Sequence, residues 1–302
     1  MLALPRPESP CYAASVPEKI DIAIVGAGRL GTVLALSLTQ AGYRVREIIV
    51  RGESSRKKAR GLSRRVNAPA VPYKHARLQA GLVWLCVPDR EIEQVAERLA
   101  TTANWKGKVV FHSSGALTSD QLAGLRRRGA AVASVHPMMT FVRGSMPSLD
   151  GVLFGVEGDS AAVRLARSIV SRLGGEVFPI AKRGKTAYHT WGTFASPLLL
   201  ALLVTAEEVA HRAGMPRRNA RASILPIARQ TLDNYAVLGS AQGFSGPIVR
   251  GDVATVRKHL KALRTLPDVK AVYVALARAA LRFLPAGKRE ELRKAVGSKA
   301  QR

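Results

Sequence analysis

Residues 21–31 read Asp-Ile-Ala-Ile-Val-Gly-Ala-Gly-Arg-Leu-Gly, an apolar run that leads directly into a Gly-x-Gly-x-x-Gly turn. The apolar run predicts a buried strand, and leucines at helical spacing follow the last glycine. In this setting the first glycine permits a tight turn, the second admits a pyrophosphate close to the backbone, and the third lets the helix pack on the strand. Free N–H groups at the helix start favour phosphates. The residues expected to bind a dinucleotide are Gly26, Gly28, Arg29, Leu30 and Gly31. A glycine-rich turn without a ligand is the alternative.

The end of the next predicted strand, Val45 to Val50, distinguishes between the two nicotinamide dinucleotides. NAD-binding proteins usually carry an acidic residue about 20 residues past the glycines, where it binds the ribose 2′-hydroxyl. This chain has Arg51 there, with Ser54 shortly after it. A guanidinium and a hydroxyl suit a 2′-phosphate, so these two residues predict NADP(H) rather than NAD(H). Two alternatives stay open: a solvated basic helix face, and Glu53 as an acidic ribose ligand.

Length and composition indicate a globular chain of two domains. The sequence has 302 residues, 47% of them hydrophobic, which is enough for one large or two ordinary cores. Residues 1–18 are rich in proline and are expected to be a disordered tail rather than a signal peptide. Cys11 lies in this tail and Cys86 in a predicted buried strand, so reduced thiols in a cytoplasm are expected. We also expect no membrane-spanning segment.

The formal net charge of +26 raises a second hypothesis, a nucleic-acid-binding protein. The basic residues are spread along the whole chain, without interleaved aromatic side chains or a known reading motif. We therefore interpret most of them as solvated surface charge and expect no specific nucleic-acid partner. Non-specific adhesion to polyanions at low salt would follow from the charge alone.

The order of apolar runs predicts an α/β fold. Short strand-like runs alternate with helical segments across residues 19–182, which is typical of a Rossmann-type doubly wound, mainly parallel sheet. Across residues 183–302 only helical patterns remain, with a break or kink expected at Pro197. The second domain is therefore expected to be all-helical.

Several predicted strands end in polar loops, and ligands of such sheets bind outside the carboxyl ends of the strands. Val87 and Pro88 are expected to contact the cofactor there. The loop residues expected to contact the nicotinamide or the substrate are His112, Ser113, Ser114 and His136. Capping of strand ends is the alternative role for these side chains. The histidines lack the spacing of metal ligands and carry no nearby Cys pair or carboxylate, so no metal is expected.

Lys185 and His189 are the candidates for proton transfer. They lie four residues apart at the start of the first helix after the sheet, so they share a helix face. A partly desolvated lysine has a pKa closer to neutrality, and a histidine already titrates there. A solvated lysine and a core histidine are the alternative.

A stiff turn at residues 246–252, Gly-Pro-Ile-Val-Arg-Gly-Asp, leads into a predicted helix. Asp252 is expected to be the N-cap of that helix. Arg250 could bind a substrate carboxylate or phosphate through two parallel hydrogen bonds. A structural salt bridge between helices is the equally weighted alternative.

The motifs named above, together with Val-Pro-Asp at 87–89, His-Ser-Ser-Gly at 112–115 and His-Pro-Met at 136–138, occur in a characteristic order. In this order the chain resembles the uncharacterised Rossmann-like oxidoreductases with a helical C-terminal domain of unknown function. These are similar in layout to pyrroline-5-carboxylate reductase, 6-phosphogluconate dehydrogenase and ketopantoate reductase. The resemblance extends from Lys19 to about Leu284. One departure is Pro197, where related sequences often carry an asparagine, so a polar substrate contact is expected to be missing.

The resemblance implies a homodimeric NADP-dependent reductase whose helical domain dimerises and closes over the nicotinamide, with a helix lysine as proton donor in some members. Together with the residues, it predicts an enzyme that transfers a hydride between NADP(H) and a small anionic oxo or imino acid. A noncatalytic NADP(H)-binding sensor is the main alternative. A deazaflavin as hydride source is a further one.

Overall fold

The computed structural model of the chain describes residues 20–297. The expected disordered tail, residues 1–18, and Cys11 within it lie outside the described residues. Within the described part the chain divides into two compact units, with the division between Ser196 and Pro197. The first unit contains a sheet and the second is helical.

The first unit is built on a single sheet, which in the described residues has eight strands. These are β1 Ile22–Val25, β2 Val45–Val50, β3 Ala70–Pro72, β4 Leu82–Leu85, β5 Val109–His112, β6 Ala131–Pro137, β7 Leu153–Gly158 and β8 Glu176–Pro179. Their order in the sheet is β3-β2-β1-β4-β5-β6-β7-β8. Neighbouring strands are parallel except for β6 and β7, which pair antiparallel. The predicted Rossmann-type, mainly parallel sheet is therefore confirmed.

Helices of the first unit follow the strands, as the alternating pattern predicts. They are α1 Arg29–Gln40, α2 Glu53–Arg65, α3 Ile92–Ala100, α4 Ala123–Arg127, α5 Ser160–Arg172 and α6 Lys185–Thr193. Short 3-10 turns add to them, and the turn at Asp89–Glu91 directly precedes α3. The carboxyl ends of β1, β4, β5 and β6 therefore share one edge of the sheet, which carries the loops expected to bind ligands.

Both faces of the central strands are buried, which explains why their sequences are continuously apolar. Ile22 and Ile24 of β1 belong to one hydrophobic cluster, whereas Ala23 and Val25 belong to another. Because side chains alternate between the two faces of a strand, these clusters lie on opposite faces of the sheet. Leu34 and Leu38 of α1 are fully buried in the first cluster. The leucine spacing that predicts this helix therefore also positions it on the sheet.

The second unit, residues 197–297 of the described chain, is helical. Its helices are α7 Leu199–Arg212, α8 Arg217–Gln242, α9 Val253–Ala262, α10 Pro267–Phe283 and α11 Arg289–Ala295. A small apolar core joins the last three of these helices, around Val256, Leu281 and Leu292. The sheet ends at Pro179, near the boundary expected at residue 182, but the compact units divide later, so α6 belongs to the first unit.

The predicted break at Pro197 is a single wide turn of π-helix, Phe194–Leu198, which connects α6 to α7. Proline lacks the N–H group that an α-helix needs at this position, so the regular hydrogen-bond pattern cannot continue through it. A π-turn is one way to accommodate the interruption without ending the helix.

One helical stretch bears on the expectation that the chain has no membrane-spanning segment. The helical stretch Lys182–Arg212 contains 18 consecutive residues with a mean hydropathy of 1.5. None of these 18 residues is buried within the chain. By length and composition alone this helix could cross a membrane, although one such helix is weak evidence for a span.

Candidate active site

The three glycines of the first turn are required for different reasons. Gly26 has a φ of +103°, and a Cβ built there would lie 2.6 Å from the Cys86 carbonyl oxygen. A Cβ on Gly31 would lie 1.9 Å from the Gly26 carbonyl oxygen, so α1 could not pack as it does. A Cβ on Gly28 would meet no protein atom within 4 Å. The fold itself therefore needs the first and third glycines, and the second leaves open space at the start of α1.

The start of α1 offers backbone donors to that space. Gly28 is the N-cap, makes no side-chain capping bond, and the first turn holds no acidic residue. Arg29 is exposed and Leu30 half-buried in this turn. The first N–H groups of a helix have no partner within the helix, and its dipole favours an anion there. The turn is thus suited to a pyrophosphate.

The residues predicted to bind a 2′-phosphate lie at the carboxyl end of β2, beside β1. Arg51 directly follows the strand, and Ser54 is exposed in the first turn of α2. Arg51 donates from Nη2 to both carboxylate oxygens of Glu91, at 2.5 Å each. Glu53, the acidic alternative, pairs with Arg56 at 2.9 Å instead. A cation therefore lies at the carboxyl end of β2, where the sequence predicts the ribose.

Val87 and Pro88 lie between β4 and the turn Asp89–Glu91. Val87 is half-buried beside the glycine turn, since a Cβ on Gly26 would approach its side chain to 3.3 Å. Pro88 is exposed and precedes the turn. Val87 therefore lies beside the glycine turn and Pro88 follows it, and their contact with a cofactor stays a prediction.

Ser114 connects several parts of the site. Its hydroxyl donates to Asp89 Oδ2 at 2.6 Å and accepts from the Leu117 N–H at 2.9 Å. Its carbonyl oxygen accepts from Lys185 Nζ at 2.9 Å and from the Ser134 hydroxyl at 3.1 Å. Ser114 is 2% exposed, so these contacts connect its loop to Asp89 and Lys185, and its contact with a substrate stays a prediction.

Lys185 is buried at the start of α6, with 1% of its surface exposed. Its ammonium donates to the Ser114 carbonyl and, at 2.5 Å, to the Ser134 hydroxyl. Burial lowers the pKa of Lys185 to about 8, although Glu157 and Asp89 partly oppose this shift. An ammonium has three protons, so one remains for another acceptor. The lysine can therefore exchange a proton near neutral pH.

His136 is held by Tyr188, a residue that the sequence reading did not single out. Tyr188 accepts from the Gly155 N–H at 3.2 Å and donates to the His136 carbonyl oxygen at 3.1 Å. His136 Nδ1 lies 3.1 Å from the same phenol oxygen. Because the Tyr188 hydroxyl donates its proton to the carbonyl oxygen, it can only accept from His136 Nδ1. Nδ1 therefore carries the ring proton, and Nε2 has a free lone pair. Burial lowers the pKa of His136 to about 4, so its ring is neutral at pH 7.

His189 lies beside His136, with their ring centroids 6.1 Å apart. Both rings face Gly115, since a Cβ there would lie 2.6 Å from His189 Cδ2 and 2.9 Å from His136 Nε2. His189 is exposed, whereas Lys185 on the same helix is buried. The predicted shared face is thus present, and both side chains reach the loop at residues 114–115.

His112 ends β5, as its pattern predicts, but its ring points into its own loop. It is completely buried, and the Ser114 N–H donates to its Nδ1 at 3.1 Å. Its Nε2 must then carry the proton, which it shares with the Thr118 carbonyl oxygen at 3.0 Å. Burial lowers the pKa of His112 to about 4. Because both ring nitrogens are used within the loop, this geometry favours the capping alternative over substrate contact.

Ser113 is half-buried, and its hydroxyl accepts from the Trp84 indole at 2.8 Å. Its own proton remains available for a ligand.

In the second unit, Arg250 is exposed and forms no ion pair with a carboxylate of the described residues. Asp252 is the predicted N-cap of α9, since its Oδ1 accepts from the Thr255 N–H at 3.0 Å. Within residues 20–297 no group of three or more metal-ligating side chains is placed to hold an ion.

Comparisons with known proteins agree with this architecture. Residues 7–137 match the model of a Rossmann-like domain, and residues 152–280 match a domain of unknown function, DUF2520. The chain therefore combines these two domains, as its resemblance implies. No curated protein matches the chain.

Solved structures with the same layout come from several organisms. A protein from Bacteroides fragilis, provisionally described as an NADP oxidoreductase, is 21% identical, with a TM-score of 0.71 over 86% of this chain and 97% of its own. A reductive aminase from Aspergillus terreus, in complex with NADPH and ethyl-5-oxohexanoate, is 16% identical (TM-score 0.61; 91% and 98% covered). A pyrroline-5-carboxylate reductase from Coxiella burnetii is 14% identical (TM-score 0.59; 93% and 97% covered). At these identities the likeness establishes the fold.

Proposed function

We propose that this chain of a Rossmann-like and a DUF2520 domain is an NADP(H)-dependent oxidoreductase. One observation carries the proposal: the open glycine turn and a buried lysine with a near-neutral pKa lie on the same edge of one sheet. The first feature suits a dinucleotide, and the second suits a proton transfer that accompanies reduction. The NADPH named in the reductive aminase complex supports the same cofactor.

The residues of the first unit fit NADP(H). The space at Gly28 and the free N–H groups of α1 would hold the pyrophosphate. Arg51 and Ser54 would hold the 2′-phosphate. When bound, the nicotinamide would donate or accept a hydride.

Lys185 is the proposed proton donor in the direction of reduction. The Ser114 carbonyl and the Ser134 hydroxyl fix the position of its ammonium, and one proton remains for a substrate nitrogen or oxygen. Loss of water around the amine lowers its pKa and so makes the transfer easier. His136 would accept a hydrogen bond at Nε2, and His189 remains a proposed partner in proton transfer.

The proposed substrate is a small anionic oxo or imino acid. Its negative charge would be favoured by Lys185, while Arg250 of the second unit stays a proposed carboxylate ligand. The names of the reductive aminase and the pyrroline-5-carboxylate reductase indicate reactions at carbon–nitrogen bonds. This favours an imine among the candidate substrates.

We propose a homodimer as the working form and the cytoplasm as its location. Helices α7 and α8 leave large apolar side chains exposed, among them Leu200 at 62% and Ile227 at 66%. Apolar patches of this kind mark surfaces that another protein covers. Cys86 is a free thiol, and burial raises its pKa, so it is protonated and unreactive in a reducing compartment.

Two measurements test the proposed function. The first titrates the protein with NADPH and with NADH by calorimetry, for the wild type and for a variant with Arg51→Met and Ser54→Ala. We expect the double substitution to weaken NADPH far more than NADH, and equal losses would remove the 2′-phosphate assignment.

The second measurement screens oxo acids alone, and oxo acids with amines, by the loss of NADPH absorbance. Turnover with at least one anionic compound is expected. A protein that binds NADPH but turns over nothing in such a screen would instead fit the noncatalytic sensor.

A further inference from the structure

Arg51 is already engaged by a carboxylate. Its Nη2 lies 2.5 Å from both oxygens of Glu91, forming a charge-assisted hydrogen bond to each of them. The arginine side chain is 69% exposed, whereas that of Glu91 is 18% exposed. The carboxylate is therefore the fixed partner, and the guanidinium is the one that can move away.

The position of this ion pair matters because of the order of the strands. Arg51 follows β2 and Glu91 ends the turn after β4, and these two strands lie on either side of β1. Neighbouring strands are about 4.8 Å apart, so the pair bridges about 10 Å across the carboxyl end of β1. The glycine turn starts at that end. The ion pair therefore spans the adenosine half of the proposed cofactor site.

A 2′-phosphate and the Glu91 carboxylate would both seek the same guanidinium. Two anions held by one exposed cation repel each other, and the Glu91 carboxylate already neutralises Arg51 and occupies its Nη2 donors. No other cation pairs with Glu91 in the described residues. The 2′-phosphate would therefore compete with the Glu91 carboxylate for the charge and the Nη2 donors of Arg51.

We infer that Glu91 lowers the preference of this protein for phosphorylated dinucleotides by competing with the 2′-phosphate for Arg51. Glu91 holds the arginine while the site is free, and this weakens the binding of phosphorylated dinucleotides. The inference rests on the proposed function and assigns Glu91 as a specificity-determining residue outside the recognised motifs.

The test uses two ligands that differ only in the 2′-phosphate, adenosine 2′,5′-bisphosphate and adenosine 5′-monophosphate. Their dissociation constants are measured by calorimetry at low salt for the wild type, Glu91→Gln and Glu93→Gln. Glu93 is the matched control, an exposed carboxylate in α3 that forms no ion pair among the described residues. We expect Glu91→Gln to tighten the bisphosphate by about two- to fivefold, as an exposed ion pair allows, with little change for the monophosphate. Glu93→Gln should change neither.

An Arg51→Gln background shows whether Glu91 acts through the arginine. There the tightening by Glu91→Gln should disappear, because the competition needs the guanidinium. The inference is overturned if Glu91→Gln leaves the bisphosphate unchanged or weakens it, or if the tightening persists without Arg51. Circular dichroism of each variant confirms that it is folded.

The two proposals fail differently. If the wild type binds NADPH but Glu91→Gln and Glu93→Gln behave alike, only the competition is wrong. If the wild type binds neither adenosine ligand and neither dinucleotide, the proposed function fails and the inference fails with it.

Discussion

At the scale of single residues, Gly28 and Gly31 lack side chains for separable reasons. Gly28 has an ordinary φ of −77° and open space around it, so Gly28→Ala should leave the fold intact. The added methyl would occupy the space proposed for the pyrophosphate, so NADPH binding should weaken strongly. Gly31→Ala should instead destabilise the protein by about 1–3 kcal/mol, because α1 must move away from β1. Thermal unfolding and NADPH titration of both variants measure the two effects, and a destabilised Gly28→Ala variant would contradict this division.

Lys185 predicts a characteristic pH dependence. Since only its ammonium form can donate a proton, reduction should slow as the pH rises through about 8. In Lys185→Met this decline should vanish and turnover should fall by about 10²–10⁴-fold, while NADPH affinity stays nearly unchanged. Rate profiles for both proteins, with cofactor titrations, provide the measurement. Loss of NADPH binding in the variant would show that the lysine holds the cofactor or the fold.

The same shift has a consequence for stability. The pKa of Lys185 is lowered from 10.5 in the unfolded chain to about 8 in the folded one. Between these values the unfolded chain binds more protons, so stability should rise with pH over this window. Lys185→Met should remove that rise, which unfolding in denaturant at several pH values would detect.

Some of these residue roles can be predicted from the sequence and others cannot. The glycines and Lys185 are identified by their spacing and by their place at a strand end or a helix start. The role of His112 depends on the Thr118 carbonyl, which reaches its ring only after the loop folds back. Ser114 binds Lys185 through its backbone oxygen, and no residue type encodes that contact.

At the scale of elements, Tyr188 attaches α6 to the sheet. Its hydroxyl bridges the His136 carbonyl on β6 and the Gly155 N–H on β7, and burial raises its pKa to about 12, so it stays protonated. Tyr188→Phe would leave the buried Gly155 N–H without that partner, which costs about 1–3 kcal/mol. Thermal unfolding should show this loss, together with a slower enzyme, because His136 loses its support. Unchanged stability would mean that water or another group replaces the hydroxyl.

The strands and most helices follow from apolar periodicity, because burial on both faces leaves a continuous signal in β1, β4 and β5. The short π-turn at Pro197 is harder to predict, since a proline in a helical pattern fits a kink, a break or a wide turn equally well. The antiparallel pairing of β6 and β7 depends on the path of the chain between them, which cannot be predicted from the apolar pattern of the two strands.

At the scale of the whole molecule, the exposed apolar residues of α7 and α8 predict self-association. Sedimentation should give a dimer at micromolar concentrations, and Ile227→Glu should shift it toward monomer, since it introduces a charge into a surface that excludes water. Glu93→Gln, in the first unit, is a control that should leave the dimer unchanged. A wild type that sediments as a monomer would contradict the proposal, and partition into vesicles would indicate a bilayer as the covering surface instead.

The turn Asp89–Glu91 contacts both ends of the first unit's site. Through Glu91 it holds the arginine that faces the adenosine half, and through Asp89 it holds the Ser114 loop, whose carbonyl fixes the lysine. A ligand that releases Arg51 from Glu91 would also change the position of Asp89, and with it the Ser114 loop. Because such coupling is reciprocal, coenzyme and reactant should change each other's affinity by the same factor through these three consecutive residues.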